Sequence, residues 1–246
     1  MAQTSNLIGG QWWPLGYPYY MQQKRASAGT IAAGVRIYQG ALAIAVDGVA
    51  RPATSGSTLR GLGLLVAGAD ANGGSYYRAS RAGVTVQHIS GAAEKITITE
   101  GATCLVAITY NNGTSTAATL AQLVLQHAEA RRLLPGVIAQ GTGASSPAAA
   151  AAAAVPFIEM LGESPIEIDN SAGGSPADLP AEALFNFGGA YGMSPAASNA
   201  PVVDGQAYVV DDDTITKVAS TFDLHGPCVG KSDDSTFYFL DLQGVE

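Results

Sequence analysis

The apolar positions of this chain fall into short runs broken by Gly, Pro, Asn and Asp, the pattern of a chain that reverses often. Residues 35–38, 41–46, 49–51 and 62–67 read as strands, and Asp47-Gly48 between two of them is a strong hairpin signal. Residues 96–99 alternate as a strand, and residues 104–110 form another, ended by the turn Asn111-Asn112-Gly113. Residues 116–134 alone carry helical spacing: Leu120, Leu123, Val124, His127 and Ala128 share one face. Ser115 or Thr116 can cap that helix, and Arg131 and Arg132 suit its C-terminal dipole. Pro135-Gly136 stops it, and residues 137–140 return as a strand. Residues 161–200 read as loop, with 181–187 as a single strand or short helix inside it. Two pairs of β-prone runs around acidic turns, 208–210 with 214–218 and 228–230 with 236–242, close the chain as a meander.

Residues 1–30 show neither period and read as an extended arm. Its segment 11–20 gathers Trp12, Trp13, Tyr17, Tyr19 and Tyr20 around two prolines and a glycine. Aromatic side chains without periodic structure pack back on their own domain or anchor an interface, where they offer large area at low entropic cost. The pattern therefore predicts a mainly β protein: a compact barrel or sandwich core, a small inserted α+β module and an extended N-terminal arm. The arm spans 1–30, the core 31–83 with 181–246, and the module with its loop-rich return 84–180.

Charge narrows the partners. The 246 residues carry a net charge of −8, split as +4 over residues 1–100 and −12 over residues 101–246. No basic run exceeds two residues, so the clustered positive charge that nucleic acid requires is missing. The seven alanines 148–154 fall short of the roughly 18 apolar residues of a membrane span. No basic stretch followed by an apolar one opens the chain, so it is expected to be made and kept in a cytoplasm-like setting. Cys104 and Cys228 lie far apart in apolar strands and are expected to be buried free thiols.

Candidate chemistry is sparse. Asp211-Asp212-Asp213 offers hard carboxylates, but three consecutive residues of a strand or turn are expected to point in different directions, and the EF-hand spacing is missing. Asp233-Asp234 is a weaker instance. His88, His127 and His225 are scattered, and His127 belongs to the apolar helix face. Neither Gly-x-Ser-x-Gly nor His-Glu-x-x-His occurs, and the glycine pairs 61/63 and 141/143 lack the rest of a phosphate loop. No catalytic, cofactor-binding or metal-binding residue is assigned, and no enzymatic activity is expected.

Tyr208-Val-Val-Asp-Asp-Asp-Thr-Ile-Thr-Lys217, with the glycine-containing and aromatic-acidic strands after it, resembles the β-rich capsid decoration proteins of tailed phages, including Mu-like ones. Val35-Arg-Ile-Tyr-Gln-Gly-Ala-Leu-Ala-Ile44 with Gly48-Val-Ala-Arg-Pro52 is similar to that family's early strand pair, and residues 62–74 to its next strand and turn. The likeness covers residues 31–83 and 181–246, while residues 96–156 resemble a small module found in phage head and tail proteins. The resemblance implies a virion protein on the outer surface of the icosahedral head, made in the host cytoplasm. It implies the major capsid protein as partner, a homo-oligomer with a trimer as first choice, no nucleic acid or membrane, and no cofactor. Trp12, Trp13, Tyr17, Tyr19, Tyr20, Lys24, Arg25 and Arg36 are the residues expected at head or subunit contacts. A tail, baseplate or fibre component, or a module binding host-surface glycans, is the alternative.

Overall fold

The computed structural model describes residues 12–13, 22–27, 31–54, 58, 62–67, 74–89, 94–110, 115–139, 149–172, 182–187, 189–219 and 224–241. Two compact units divide the chain: Met1–Leu59 with Glu159–Glu246 form the first, and Arg60–Ile158 the second. Among the described residues there are twenty strands and two short helices, so the protein is mainly β. The first segment supplies β1 (Trp12–Trp13), β2 (Gln22–Ser27), β3 (Val35–Ile37), β4 (Leu42–Val46) and β5 (Val49–Pro52). The second unit holds β6 (Leu64–Ala67), β7 (Gly74–Arg78), β8 (Val84–Ile89), β9 (Lys95–Glu100), β10 (Thr103–Thr109), α1 (Ala117–Gln126), α2 (Ala128–Leu133), β11 (Gly136–Ala139) and β12 (Ala150–Ala154). After β13 (Ile158–Glu163) come β14 (Ile168–Asn170), β15 (Glu182–Phe187), β16 (Ala190–Pro195) and β17 (Gln206–Val209). The chain ends with β18 (Thr214–Thr216), β19 (His225–Lys231) and β20 (Tyr238–Asp241).

In the first unit β16, β18, β17, β19 and β20 pair in that order, and β16 pairs again with β20, closing a small five-stranded ring. Closure removes sheet edges, the usual weakness of a small β structure. A separate sheet runs β2-β15-β13-β4-β5. Its strand β4 is buried at every position, which explains why Leu42-Ala-Ile-Ala-Val46 is an unbroken apolar run and does not alternate. Asp47 and Gly48 turn it into β5 with φ of 50° and 80°, the left-handed pair a two-residue hairpin needs.

The second unit contains a four-stranded sheet, β10-β9-β8-β12, and a three-stranded one, β11-β7-β6. Val84 and Val86, Ile96 and Ile98, and Val106 and Ile108 bury one face of the larger sheet with Leu120, Val124 and Leu133 of the helices. Each such side chain taken fully from water contributes about 1.5–3 kcal/mol. Thr116 Oγ1 accepts from Thr119 N at 3.2 Å and caps α1.

Four expectations change here. The expected boundaries at 84 and 180 become 60 and 158, because β7 pairs with β11 across the helices and draws residues 62–78 into the second unit. The helix is two helices: His127 leaves helical geometry at φ −80°, ψ 112°, and its Nδ1 accepts from Ala130 N at 3.3 Å as the cap of α2. Residues 161–200, expected as loop apart from a strand or short helix at 181–187, hold half of β13 and all of β14 and β16 besides the strand β15 at that place, and Tyr191 in β16 is fully buried. Cys104 is exposed, because the register of β10 on β9 slips between Cys104 and Val106 and turns the thiol to the other face. Cys228 is buried, as expected.

Gly162 in β13 has φ of +113°, and a Cβ there would lie 2.1 Å from the main-chain oxygen of Asn186 in β15. No side chain fits at that distance without parting the two strands. Gly162→Ala is therefore expected to cost about 2–4 kcal/mol in the first unit. Chemical denaturation followed by tyrosine fluorescence reads it as an earlier midpoint, and an unchanged midpoint would contradict the close approach.

Candidate functional site

The hairpin between β17 and β18 is built from consecutive acids. Val210 N donates to Thr214 O at 2.8 Å and closes it, Asp213 N donates to Asp211 Oδ1 at 3.1 Å, and Thr214 Oγ1 donates to Asp213 Oδ1 at 2.8 Å. The loop is also tied to distant chain. Leu42 N donates to Asp212 O at 2.9 Å, Ser194 N donates to Asp213 O at 2.8 Å, and Thr54 makes an antiparallel bridge with Asp211. Strand-like alternation stops at Asp211, and the bend lets the three side chains converge. One carboxylate oxygen from each of Asp211, Asp212 and Asp213 lies within 4.8 Å of the others. The expectation that these side chains diverge assumed a straight backbone and does not hold.

Asp212 is only 1% exposed, and Asp211 and Asp213 are half-buried. At an effective dielectric near 20, two unit charges 4.8 Å apart repel by roughly 3 kcal/mol. A proton, a cation or a basic partner has to offset that repulsion. Burial, and then the contact with the Asp213 side chain, push the Asp211 carboxyl above its usual range. Nearby charge adds to the set. Tyr191 of β16 is fully buried, and its hydroxyl has no hydrogen-bond partner among the described residues. Burial first, then the negative charges of Glu163, Asp212 and Asp213, hold that phenol protonated well above the usual tyrosine range. Burial also raises the Glu163 carboxyl, against the opposing pull of Asn186, whose Nδ2 donates to Glu163 Oε2 at 2.8 Å.

The residues expected at contacts are spread over three sheets. Trp12 and Trp13 stand on β1, opposite Tyr191 and Ala190 of β16. Lys24 and Arg25 stand on β2, the edge of the five-stranded sheet, opposite Phe185 and Leu184. Tyr17, Tyr19 and Tyr20 lie outside the described residues. Arg36 on β3 is engaged within its own unit: Nε lies 2.9 Å from Glu167 Oε1, Nη2 lies 2.7 Å from Asp169 Oδ2, and the guanidinium sits 5.5 Å from the Tyr38 ring centre. It borders an open cleft of about 420 Å³ with Gly34, Val35, Tyr38, Pro52, Asp169 and Ser171. An exposed pair of this kind adds little stability but fixes the guanidinium's direction.

The second unit conceals a polar pair that the scattered histidines did not suggest. His88, the last inward position of the alternating strand β8, is 1% exposed, and its Nε2 lies 2.8 Å from the Tyr77 hydroxyl. Its Nδ1 is buried without a partner among the described residues. Charging the ring would place a cation in an apolar core, so burial lowers the imidazole to about 4. Alternation Val84-Val86-His88 is the signal that could have placed His88 inward.

A base whose folded-state value lies below its unfolded one binds more protons when unfolded. The stabilisation is therefore complete above about pH 6.5 and lost as the pH falls toward 4. Over that window His88 should remove about 3 kcal/mol from the second unit. Denaturation of the wild type and of His88→Gln at pH 7 and pH 4.5 measures this, and equal slopes for the two proteins would show that His88 does not drive it. Comparison with protein-family models, with curated proteins and with solved structures gave no match to this chain.

Proposed function

We propose that this chain is a structural protein of a tailed-phage virion. In this reading it sits on the outer surface of the icosahedral head and bridges subunits of the major capsid protein, as a homo-oligomer and in the first instance a trimer. It acts without catalysis and without a cofactor: surface buried across neighbouring capsid subunits holds the shell against the pressure of packaged DNA. An interface of standard size, about 1,600 Å², is enough for a specific and lasting attachment.

The observation that carries this reading is how the N-terminal arm is attached. β1 and β2 join two different sheets of the first unit as added strands, β1 on β16 and β2 along all six residues of β15. Strand addition uses main-chain donors and acceptors and works equally well between neighbouring molecules. β2 is the edge strand of its sheet and its sequence holds Lys24 and Arg25, residue types that discourage unwanted edge pairing and suit an acidic neighbour. The resemblance of residues 31–83 and 181–246 to decoration proteins supports the same reading.

Cryo-electron microscopy of particles assembled with this protein should show its density on the outer face of the head. Density on the tail or inside the shell would overturn the proposal. Heads lacking the protein, incubated with purified full-length chain, should take up the Trp12→Ala/Trp13→Ala variant at least tenfold less well than wild type. Equal uptake would remove the tryptophans from the contact.

A further inference from the structure

We propose that Asp211, Asp212 and Asp213, beside the buried hydroxyl of Tyr191, form a binding site for one calcium ion. Two oxygens bound to one Ca²⁺ at about 2.3–2.6 Å can stand no more than about 5 Å apart. The three carboxylates, with ligand atoms within 4.8 Å of one another, are thus already within reach of a single ion. Hard carboxylate oxygens are the donors Ca²⁺ prefers, and a flexible coordination number tolerates an irregular set, whereas Mg²⁺ demands a tighter octahedron.

A second feature points to a ligand independently of the acids. The Tyr191 hydroxyl is fully buried and has no partner among the described residues, yet it lies in the field of Glu163, Asp212 and Asp213. Buried hydroxyls in folded proteins are almost always satisfied by protein or ordered water. A water in the shell of a bound cation is polarised to donate, and it would supply the hydrogen bond that Tyr191 lacks. The frame is prepared as well: main-chain bonds from Leu42 and Ser194 to Asp212 and Asp213 hold the hairpin in place whether or not an ion is bound. A proton is the competitor, because it offsets the same repulsion at Asp211 and must leave before the ion enters.

The test uses the full chain, freed of metal with a chelator, then titrated with Ca²⁺ by calorimetry and with Tb³⁺ by tyrosine-sensitised luminescence. One saturable site per chain is expected, with a thermal midpoint that rises with Ca²⁺ and an affinity for Ca²⁺ above that for Mg²⁺. Asp211→Asn/Asp213→Asn should weaken Ca²⁺ binding tenfold or more, and Asp213→Asn alone makes the same comparison at a half-buried position should the double variant not fold. Asp233→Asn/Asp234→Asn, in the other acidic turn, should bind as wild type does. Tyr191→Phe, which removes the hydroxyl's hydrogen bond to the ion's shell, should weaken Ca²⁺ binding severalfold and lose most of the sensitised Tb³⁺ emission. Absence of saturable Ca²⁺ and Tb³⁺ binding by the wild type, or binding that survives Asp213→Asn and the double variant undiminished, would overturn the proposal.

Discussion

Two main-chain hydrogen bonds, from Leu42 to Asp212 and from Ser194 to Asp213, set the arrangement of the first unit. They join the hairpin of β17 and β18 to β4 on one side and β16 on the other, segments that lie far from β4 along the chain. With that hairpin fixed, β16 can pair with both β18 and β20 and close the five-stranded ring. The same bonds bring the Asp212 and Asp213 carboxyls into the field felt by Tyr191 and leave β16 to receive β1. Such pairing depends on backbone groups and the ability to bend, not on particular side chains. Sequence can therefore vary widely around it while the fold persists.

Each unit buries polar groups where an apolar core would be simpler. In the second, Tyr77 and His88 form a neutral pair whose electrostatic cost appears only when the imidazole is charged. In the first, the buried groups are carboxyls that converge, and burial with the neighbouring Asp213 pushes Asp211 above its usual range. A neutral pair can serve as a packing element, whereas three adjacent carboxyls, one of them at 1% exposure, are costly to keep ionised without a compensating charge. That difference separates a structural polar pair from a candidate ligand site.

Much of the fold was legible because it depends on local chemistry. The Asp47-Gly48 hairpin, the unbroken run of β4, the Thr116 cap and the closing meander all follow from residues close together in sequence. What was not legible is set by distant partners. Alanine is the best helix former, yet Ala150–Ala154 is a strand because it takes its hydrogen bonds from β8. Residues 190–193, Ala-Tyr-Gly-Met, have no alternation to read because all four are buried. The acidic site failed for a related reason: side-chain directions were inferred from straight backbone, and only the ties to Leu42 and Ser194 show that the chain bends there. The register slip that exposes Cys104 is equally silent in a single sequence.

The second unit interrupts the first, and this orders events in time. Residues 60–158 are contiguous and can complete their own core as soon as they leave the ribosome. The strand β4, apolar along its whole length, cannot: β13 and the Asp212 main chain that cover it are encoded more than a hundred residues later. At about 5–20 residues per second, that strand waits on the order of ten seconds or longer with β5 as its one paired neighbour. Newborn chains thus pass through a stage with one finished unit and one sticky, half-made sheet, and the yield of folded protein depends on how well the cell shields Leu42–Val46 during that interval.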